Sequence, residues 1–282
     1  MFDLEKLKKI ELVVFDVDGT LVNDEGEIGE LTKQLIIKLK KLGVLFSFAS
    51  GRLHSALIPI ANELKIYSPL ISLDGSVIKS VSGKIFVYRS FLKKSQVKKA
   101  IEYSEKYQIN IALCHTEAIY YTEQNSVIPK LLDKFGAVYE EVNSYDDFTD
   151  ETLEIVFAGD SRRTIEFVSD KLSFPFTIGT AVSFFKSQTH EGIYYLEVRR
   201  SGSSKGKAMQ RLLKYLRIKE NRTAVLGDWY NDLSMFETKA IKVALKNAIP
   251  ELKKAADYVL NKTNNEEGVT EFLEALLKAK VS

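Results

Sequence analysis

The fold of this chain can be predicted from one stretch, Leu12-Val13-Val14-Phe15-Asp16-Val17-Asp18-Gly19-Thr20-Leu21. Its first four residues form an unbroken apolar run, which is typical of a parallel strand buried on both faces of a sheet. The run ends at two acids separated by one residue. Two carboxylates so close together would repel each other unless a cation lay between them, which predicts a divalent metal site. Gly19 permits a sharp turn of the backbone, and Thr20 adds a hydroxyl and an amide to the same site.

The Asp-x-Asp-Gly sequence has two other interpretations. It could be a surface turn, because Asp and Gly both favour turns, and this stretch alone leaves that open. It could also be a calcium loop, with Glu27 at the twelfth position counted from Asp16. The calcium loop is rejected, because it needs glycine at its sixth position and a helix before it. Leu21 is the sixth residue here, and a strand precedes the loop.

Composition places the chain among ordinary globular proteins. It has 282 residues, of which 45% are hydrophobic and 28% charged, with a formal net charge of +2. The lysines are interspersed with acids, so no nucleic-acid partner is predicted. The single Cys114 excludes an internal disulfide and a cysteine zinc site. We find no apolar run of membrane-spanning length, and the acidic residues near Met1 do not fit a signal peptide, so no membrane partner and a cytoplasmic location are predicted.

Strands and helices alternate after the first strand. Leucines at helical spacing, with Gly43 placed to end the helix, predict a crossover helix. Its apolar stripe comprises Leu31, Leu35, Leu39 and Leu42. The elements that follow are a strand over 44–49, a helix over 53–64 and a strand over 69–73. Pro59 should kink the helix or break it early. The strand-helix-strand order predicts parallel strands with right-handed crossovers, so Ser50 should lie near Asp16 at one edge of the sheet.

The pattern changes near residue 80. A predicted hairpin, with strands over 77–79 and 85–88, interrupts the alternation. Beyond it we predict an α+β layer, an antiparallel sheet covered on one face by helices. Its helices are predicted over 95–107, 126–135 and 162–172, and its strands over 109–114, 118–122, 153–158, 176–180, 183–186 and 194–198.

The alternating pattern resumes after this insertion. The predicted elements are a helix from 204, strands over 223–226, 242–244 and 258–260, a helix over 249–256 and a closing helix from 269. The predicted fold class is therefore α/β, a Rossmann-like doubly wound parallel sheet with an inserted α+β domain. The core is assigned to 1–80 and 192–282, and the insertion to 81–191.

Chemically informative residues from distant parts of the chain should converge at one sheet edge. They are Asp16 with Asp18, Ser50, Lys205, and Asp228 with Asn231 and Asp232. Each is ordinary alone: Ser50 could be a turn residue, Lys205 a solvated lysine and Gly227-Asp228 a loop. Their joint occurrence at strand ends favours a site. A helix dipole disfavours lysine at the helix N-terminus, which suggests that Lys205 faces an anion.

The chain resembles phosphatases of the haloacid dehalogenase superfamily, of the Cof type with a large α/β cap (C2B type). The resemblance covers nearly the full length and rests on Phe-Asp-Val-Asp-Gly-Thr-Leu (15–21), Ala-Ser-Gly-Arg (49–52), Ser-Lys-Gly-Lys-Ala (204–208), Gly-Asp-Trp-Tyr-Asn-Asp (227–232) and Asn-Asn-Glu-Glu-Gly-Val (264–269). It implies a Rossmann-like core, an inserted cap, and Mg²⁺-dependent hydrolysis of phosphate monoesters through an aspartyl-phosphate.

The resemblance also implies residue roles. Asp16 would be the nucleophile and a Mg²⁺ ligand. Asp18 would be the general acid and then the base, with its backbone carbonyl on the metal. Asp228 would be the second carboxylate ligand, and Asp232 would act through a metal-bound water. The residues implied for the phosphoryl group and substrate are Ser50, Lys205 and Asn231, the backbone amides of Gly19, Thr20 and Gly51, and also Arg52 and Asp74.

Two positions depart from the family's pattern. Relatives often carry Asn-Gly where Asp74-Gly75 stands here, so Asp74 would face a substrate hydroxyl or amine, or belong only to the turn. Trp229 replaces a smaller polar residue and would alter the rim of the site.

Two other functions stay open. Sugar phosphomutases share this core and cap but transfer phosphate to an acceptor. A phosphorylatable signalling module also combines an acceptor Asp with Ser or Thr and Lys, although Asp18 and the large insertion argue against it. A nucleotide-binding dehydrogenase is excluded, because no Gly-x-Gly-x-x-Gly follows the first strand.

We expect a small phosphorylated metabolite as substrate and a monomer or weak homo-oligomer. The insertion should recognise the leaving group of the substrate. The polar residues of the insertion that are candidates for this recognition are His115, Lys186, His190 and Glu191.

Overall fold

The computed structural model describes residues 2–132, 137–187 and 190–282. Before the insertion the elements are α1 Leu4–Lys8, β1 Leu12–Phe15, α2 Glu30–Lys41, β2 Leu45–Phe48, α3 His54–Glu63, β3 Leu70–Ser72, β4 Val77–Lys79 and β5 Phe86–Arg89. The next elements are α4 Lys94–Tyr107, β6 Asn110–Cys114, β7 Ile119–Thr122, α5 Ile128–Leu131, β8 Tyr139–Val142, β9 Glu154–Gly159, α6 Arg162–Lys171, β10 Thr180–Lys186 and β11 Tyr194–Arg200. The last are α7 Lys205–Leu216, β12 Thr223–Gly227, α8 Leu233–Phe236, β13 Ile241–Ala244, α9 Pro250–Ala255, β14 Tyr258–Val259 and α10 Val269–Val281.

The chain divides into two compact units. The first comprises Met1–Gly51, Leu57–Tyr88 and Ser204–Ser282, and the second comprises Arg52–Ala56 and Arg89–Ser203. The main segment of the second unit, Arg89–Ser203, begins and ends later in the chain than the predicted 81 and 191. The reason is strand pairing, because β5 adjoins β4, whereas β11 pairs with β9 and β10.

A parallel sheet forms the centre of the first unit. Its strand order is β14-β13-β12-β1-β2, and every pair in it is parallel. Phe15 at the end of β1 lies opposite Leu226 of β12 and Phe48 of β2. The loops after these strands therefore start at the same edge of the sheet, which is where parallel sheets place ligand sites. The predicted α/β class, a parallel core with an additional sheet, is confirmed.

The third predicted strand joins the core differently. β3 forms a separate sheet in the order β3-β4-β5, and β3 pairs antiparallel with β4. A single parallel bridge between Ala49 and Ile71, with a hydrogen bond from the Ser50 amide to the Ile71 carbonyl (3.0 Å), links β3 to the chain after β2. The loop that follows β3 is thereby tied to the loop that contains Ser50.

Two details of the first helices differ from prediction. In α2 the buried face is formed by Thr32, Leu35, Ile36 and Leu39, whereas Leu31 and Leu42 are 40% and 43% exposed. The face is rotated because α2 packs against α10. α3 continues through Pro59 to Glu63, so the early break does not occur. Its apolar residues Leu57, Ile60 and Ala61 are buried in the core, which offsets the roughly 3 kcal/mol that an internal proline costs.

The second unit contains a mixed sheet rather than the antiparallel sheet predicted. Its order is β10-β11-β9-β6-β7-β8, and β7 pairs with β8 in parallel. β8 was not predicted, because its sequence, Tyr-Glu-Glu-Val, has two adjacent acids instead of alternating apolar and polar residues. Apolar residues of α4 and α6 pack on the sheet in one hydrophobic cluster.

Two further predictions for this unit need correction. The strand predicted over 176–180 is not found. Of these five residues, only Thr180 belongs to a strand, as the first residue of β10. Residues 176–179 form turns, Ile178 is 75% exposed, and Gly179 has a positive φ of 87°. The helix predicted over 126–135 is represented by α5, and the predicted positions 133–135 lie outside the described residues. No helix in the described ranges has both the length and the apolarity needed to cross a membrane.

Candidate active site

Three buried carboxylates meet where β1 and β12 end. Asp16 directly follows β1, and Asp228 directly follows β12. One carboxylate oxygen from each of Asp16, Asp228 and Asp232 lies within 4.8 Å of the others. The structure thus brings together the three acids predicted as side-chain participants in the metal site. Asp18 is exposed and does not belong to this cluster.

Lys205 lies between two of these acids. It is the first residue of α7, whose N-cap Ser204 accepts a hydrogen bond from the Lys207 amide. The fully buried ammonium donates to Asp16 Oδ1 at 2.5 Å and to Asp232 Oδ1 at 2.7 Å. When all three carboxylates are ionised, they outnumber the ammonium and the cluster carries a net negative charge. Clustered carboxylate oxygens with excess negative charge suit a hard divalent cation.

Burial makes the charges of this cluster costly. Burial raises the pKa of Asp16 well above its ordinary value, and the neighbouring acids add to that effect while Lys205 opposes it. Burial likewise raises the pKa of Asp228 to about 7, against the lowering effect of its hydrogen bond from Thr20. For Lys205, burial lowers the pKa, but Asp16 and Asp232 outweigh it and raise the pKa above its ordinary value. A bound cation would favour the ionised carboxylates.

Gly19 and Thr20 pack directly on Asp228. The Thr20 hydroxyl donates to Asp228 Oδ1 at 2.6 Å, and the Thr20 amide approaches the Val17 carbonyl at 3.4 Å. A Cβ on Gly19 would lie 2.4 Å from Asp228 Oδ2, and Gly19 has a φ of +75°. Only glycine fits this position, for reasons of both contact and backbone conformation. Thr20 therefore holds one carboxylate oxygen of Asp228, and Gly19 leaves room for the other.

Asp232 is held by the turn that carries it. Its Oδ2 accepts hydrogen bonds from the amides of Asp228 (3.0 Å) and Trp229 (3.1 Å), while Oδ1 accepts from Lys205. A Cβ on Gly227 would lie 2.6 Å from Asp232 Oδ2, so the glycine lets this carboxylate approach. Both oxygens of Asp232 thus have protein partners. The family resemblance implies only an indirect metal role for Asp232, and these hydrogen bonds show that it also stabilises the turn.

The loops after β2 and β3 contribute a second polar group. Ser50 is fully buried, and its carbonyl accepts from the Asp74 amide at 3.0 Å. Asp74 has a left-handed backbone (φ 48°) and lies close to Gly51, where a Cβ would be 3.5 Å from Asp74 Oδ1. Asn231 donates its side-chain amide to Asp74 Oδ1 at 3.0 Å. The unusual Asp74 is therefore a partner of Asn231, which the sequence alone did not indicate.

The remaining predicted residues belong to the second unit. Arg52 is buried there. His115 is half-buried, its Nε2 lies 3.0 Å from the Phe148 carbonyl, and burial lowers its pKa. Lys186 ends β10 and is exposed, whereas His190 and Glu191 lie in the turn before β11.

The second unit also contains a buried polar cluster that was not predicted from the sequence. Arg199 of β11 lies 3.6 Å from Glu154 and 3.3 Å from Glu197, and it donates to the Ser183 hydroxyl at 2.9 Å. These residues are spread over neighbouring strands, so no short motif could reveal them.

Comparison with known proteins agrees with this geometry. The family model described as haloacid dehalogenase-like hydrolase matches residues 13–273. Phosphatase YwpJ of Bacillus subtilis is 27% identical over 95% of this chain and 100% of its own length. A second Bacillus subtilis protein, 5-amino-6-(5-phospho-D-ribitylamino)uracil phosphatase YitU, is 24% identical over 93% of this chain and 96% of its own. The crystal structure of a haloacid dehalogenase-like hydrolase from Bacteroides thetaiotaomicron superposes on this chain with a TM-score of 0.81 and 27% sequence identity. The match covers 94% of this chain and 98% of that protein's chain.

Proposed function

Because the chain is a phosphatase of the haloacid dehalogenase-like hydrolase family, we propose that it hydrolyses small phosphate monoesters. We propose further that the reaction depends on Mg²⁺ and proceeds through an aspartyl-phosphate. The observation that carries this proposal is the buried cluster of Asp16, Asp228 and Asp232 with Lys205 between two of them. Such a cluster combines a nucleophilic carboxylate with ligands for a cation. The cation is needed because a negatively charged nucleophile would otherwise be repelled by the negatively charged phosphate.

The proposed chemistry has two steps. In the first, a carboxylate oxygen of Asp16 forms a bond to phosphorus while the bond to the ester oxygen breaks, and Asp18 gives its proton to the departing alkoxide. In the second, Asp18 takes a proton from water as that water attacks phosphorus, which releases Asp16 and inorganic phosphate. The exposure of Asp18, two residues beyond the buried Asp16, suits proton exchange with a substrate and with water.

The cation is proposed to be Mg²⁺, held by the side chains of Asp16 and Asp228 and by the Asp18 carbonyl, with Asp232 acting through a metal-bound water. Oxygen ligands with several negative charges suit Mg²⁺. When bound, Mg²⁺ would neutralise part of the charge shared by these acids and the phosphoryl group. Lys205 holds Asp16 Oδ1 and so restricts the direction from which this carboxylate can attack.

Phosphoryl recognition is proposed for the loops around this cluster. Ser50, Lys205 and Asn231, with the amides of Gly19, Thr20 and Gly51, would bind the oxygens on which charge develops. Arg52 and Asp74 would contact the substrate, and Asp74 holds the Asn231 amide in one orientation.

Substrate choice is proposed to reside in the insertion, which has none of the catalytic acids. The polar residues of the insertion to test first are His115, Lys186, His190 and Glu191. We expect a small phosphorylated metabolite, and 5-amino-6-(5-phospho-D-ribitylamino)uracil, for which YitU is named, belongs in the substrate panel. We further propose a cytoplasmic monomer or weak homo-oligomer, with no nucleic-acid partner.

The proposal is tested by measuring phosphate release from a panel of sugar phosphates, polyol phosphates, nucleotides and phosphorylated cofactors. Release should require Mg²⁺, stop on chelation and proceed with water as the only acceptor. If the protein only moved phosphate between acceptors after addition of a sugar bisphosphate, it would be a phosphomutase and the proposal would be wrong.

A further inference from the structure

The segment 264–269 has no role in the chemistry proposed above, yet it contacts the loop between β1 and α2. We call this loop, residues 16–29, the catalytic loop. Asn264 Nδ2 donates to the Val22 carbonyl at 3.2 Å and to Asp24 Oδ1 at 3.1 Å. Asn265 and Asp24 form a reciprocal pair, because Asn265 Nδ2 donates to Asp24 Oδ2 (2.8 Å) and the Asp24 amide donates to Asn265 Oδ1 (2.9 Å). Glu267 accepts from the amide and hydroxyl of Thr32, both at 2.9 Å. The segment therefore fixes the far end of the loop that starts at Asp16.

Asn247 extends this contact to the near end of the same loop. Its Nδ2 donates to the Gly19 carbonyl at 2.8 Å, and its Oδ1 accepts from the Asn264 amide at 3.1 Å. The Asn247 side chain thus bridges segment 264–269 and the backbone between Asp18 and Thr20. Its two hydrogen bonds also fix which end of the amide faces which partner.

The loop that carries Asn247 also contacts the second acid-bearing loop. The Ile249 amide donates to the Asp228 carbonyl at 2.9 Å, and the Lys246 amide donates to the Lys262 carbonyl at 3.1 Å. Residues 245–249 therefore connect three parts of the chain: the backbone at Gly19, the backbone at Asp228 and the strand end before Asn264. A shift of this loop would change the separation of Asp18 and Asp228.

We infer that Asn247 is a positioning residue for the catalytic loop: its amide holds the Gly19 carbonyl and thereby sets where Asp18 and Thr20 lie relative to Asp228. This inference rests on the proposed function for its catalytic consequence. The physical reason is the freedom of glycine, which loses more backbone entropy on ordering than any other residue. Gly19 has a positive φ and no side chain, so its carbonyl and amide are its only means of fixation.

Substitution of Asn247 separates its two hydrogen bonds. Asn247→Asp is isosteric and keeps an acceptor for the Asn264 amide, but it cannot donate to the Gly19 carbonyl. Asn247→Ala removes both contacts without adding charge. A net hydrogen bond is worth about 0.5 to 1.5 kcal/mol, which corresponds to about two- to tenfold, so both variants should lose about two- to tenfold in kcat. KM should stay close to that of the parent, and the urea midpoint, which should fall only modestly, shows that each variant is folded.

Asn221 provides the matched control. It is exposed in a short 3₁₀ helix, Glu220–Arg222, away from the loops described here. Asn221→Asp and Asn221→Ala make the same chemical changes and should keep the parental kcat. A loss in Asn247→Asp alone would be an effect of charge and would overturn the inference, as would parental kcat in both Asn247 variants.

Hydrogen exchange supplies a readout that does not need activity. Amides of residues 18–22 should exchange faster in Asn247→Ala than in Asn221→Ala, while the amides of β1 should not change. If the parent released no phosphate from any ester with Mg²⁺, the proposed function would fail, and exchange would still decide the positioning role. Exchange at 18–22 no faster than in the control would overturn it.

Discussion

Lys205 and Asp16, 189 positions apart in the chain, are joined by a hydrogen bond of 2.5 Å between buried side chains. Lysine in the first turn of a helix is disfavoured by the helix dipole. Here the nearby carboxylates of Asp16 and Asp232 compensate for that cost, and the same contact fixes the proposed nucleophile. Lys205 is therefore proposed to contribute both to catalysis and to the stability of the fold.

Replacing this lysine should destabilise the fold. Lys205→Met leaves two buried carboxylates without their cationic partner, and breaking a buried ion pair costs about 3 to 5 kcal/mol. Lys207→Met, two positions along α7 and exposed, is the control and should change the free energy of unfolding by less than about 0.5 kcal/mol. Urea denaturation without divalent cations measures both. Equal stability of the two variants would mean that Lys205 does not stabilise the cluster.

Two glycines of the catalytic loop should differ sharply in their tolerance of alanine. Gly19 and Gly26 both have positive φ, at +75° and +82°, so each alanine should cost about 1 kcal/mol in backbone strain. A Cβ at Gly19 also meets Asp228 Oδ2 at 2.4 Å, whereas a Cβ at Gly26 meets nothing within 4 Å. Gly19→Ala should therefore lower kcat at least tenfold, and Gly26→Ala should leave it unchanged. Steady-state kinetics on both would contradict this account if Gly19→Ala were as active as Gly26→Ala.

Asp18 and Asp228 should differ in how their variants respond to Mg²⁺. Asp228→Asn removes charge from the buried cluster, so the Mg²⁺ concentration for half-maximal activity should rise. Asp18→Asn removes a proton donor outside that cluster, so kcat should fall even at saturating Mg²⁺. A Mg²⁺ titration of both variants tests the division. Rescue of Asp18→Asn by Mg²⁺ to the extent seen for Asp228→Asn would show that the roles are misassigned.

The order of the core elements could be predicted because each depends on local sequence. β1 and β12 are short apolar runs, and each is followed by an acid, so the convergence of Asp16 and Asp228 follows from parallel topology alone. The helix predicted from 204 begins at Lys205, and the structure shows Ser204 as its N-cap.

Contacts between distant side chains could not be predicted in the same way. Nothing in the sequence near Asn247 indicates that it binds the Gly19 carbonyl, since the two residues are 228 positions apart. The same holds for Asn231 with Asp74 and for Arg199 with Glu154, whose partners are chosen by tertiary packing. The exposure of Leu31 has a similar origin, because α10 decides which face of α2 is buried.

The second unit should lose stability in mild acid because of His115. Burial holds the pKa of His115 below its ordinary value, against a smaller raising effect of the Phe148 carbonyl and Glu151. The unfolded chain thus binds a proton at a higher pH than the folded chain, so stability is full above about pH 6.5 and falls as the pH drops towards the folded pKa. His115→Gln should reduce this pH dependence. Thermal unfolding at pH 7.5 and pH 5 measures it, and an identical change in parent and variant would contradict the assignment.

The central claim, that Asp16 is the nucleophile of a phosphatase, is tested most directly by Asp16→Asn. An amide of nearly the same size preserves packing but does not attack phosphorus, so phosphate release should fall by at least about a thousandfold. Circular dichroism and the urea midpoint establish that the variant is folded. Our account predicts a folded protein without turnover on any ester that the parent hydrolyses. Release above roughly a thousandth of the parental rate from the folded variant would contradict it.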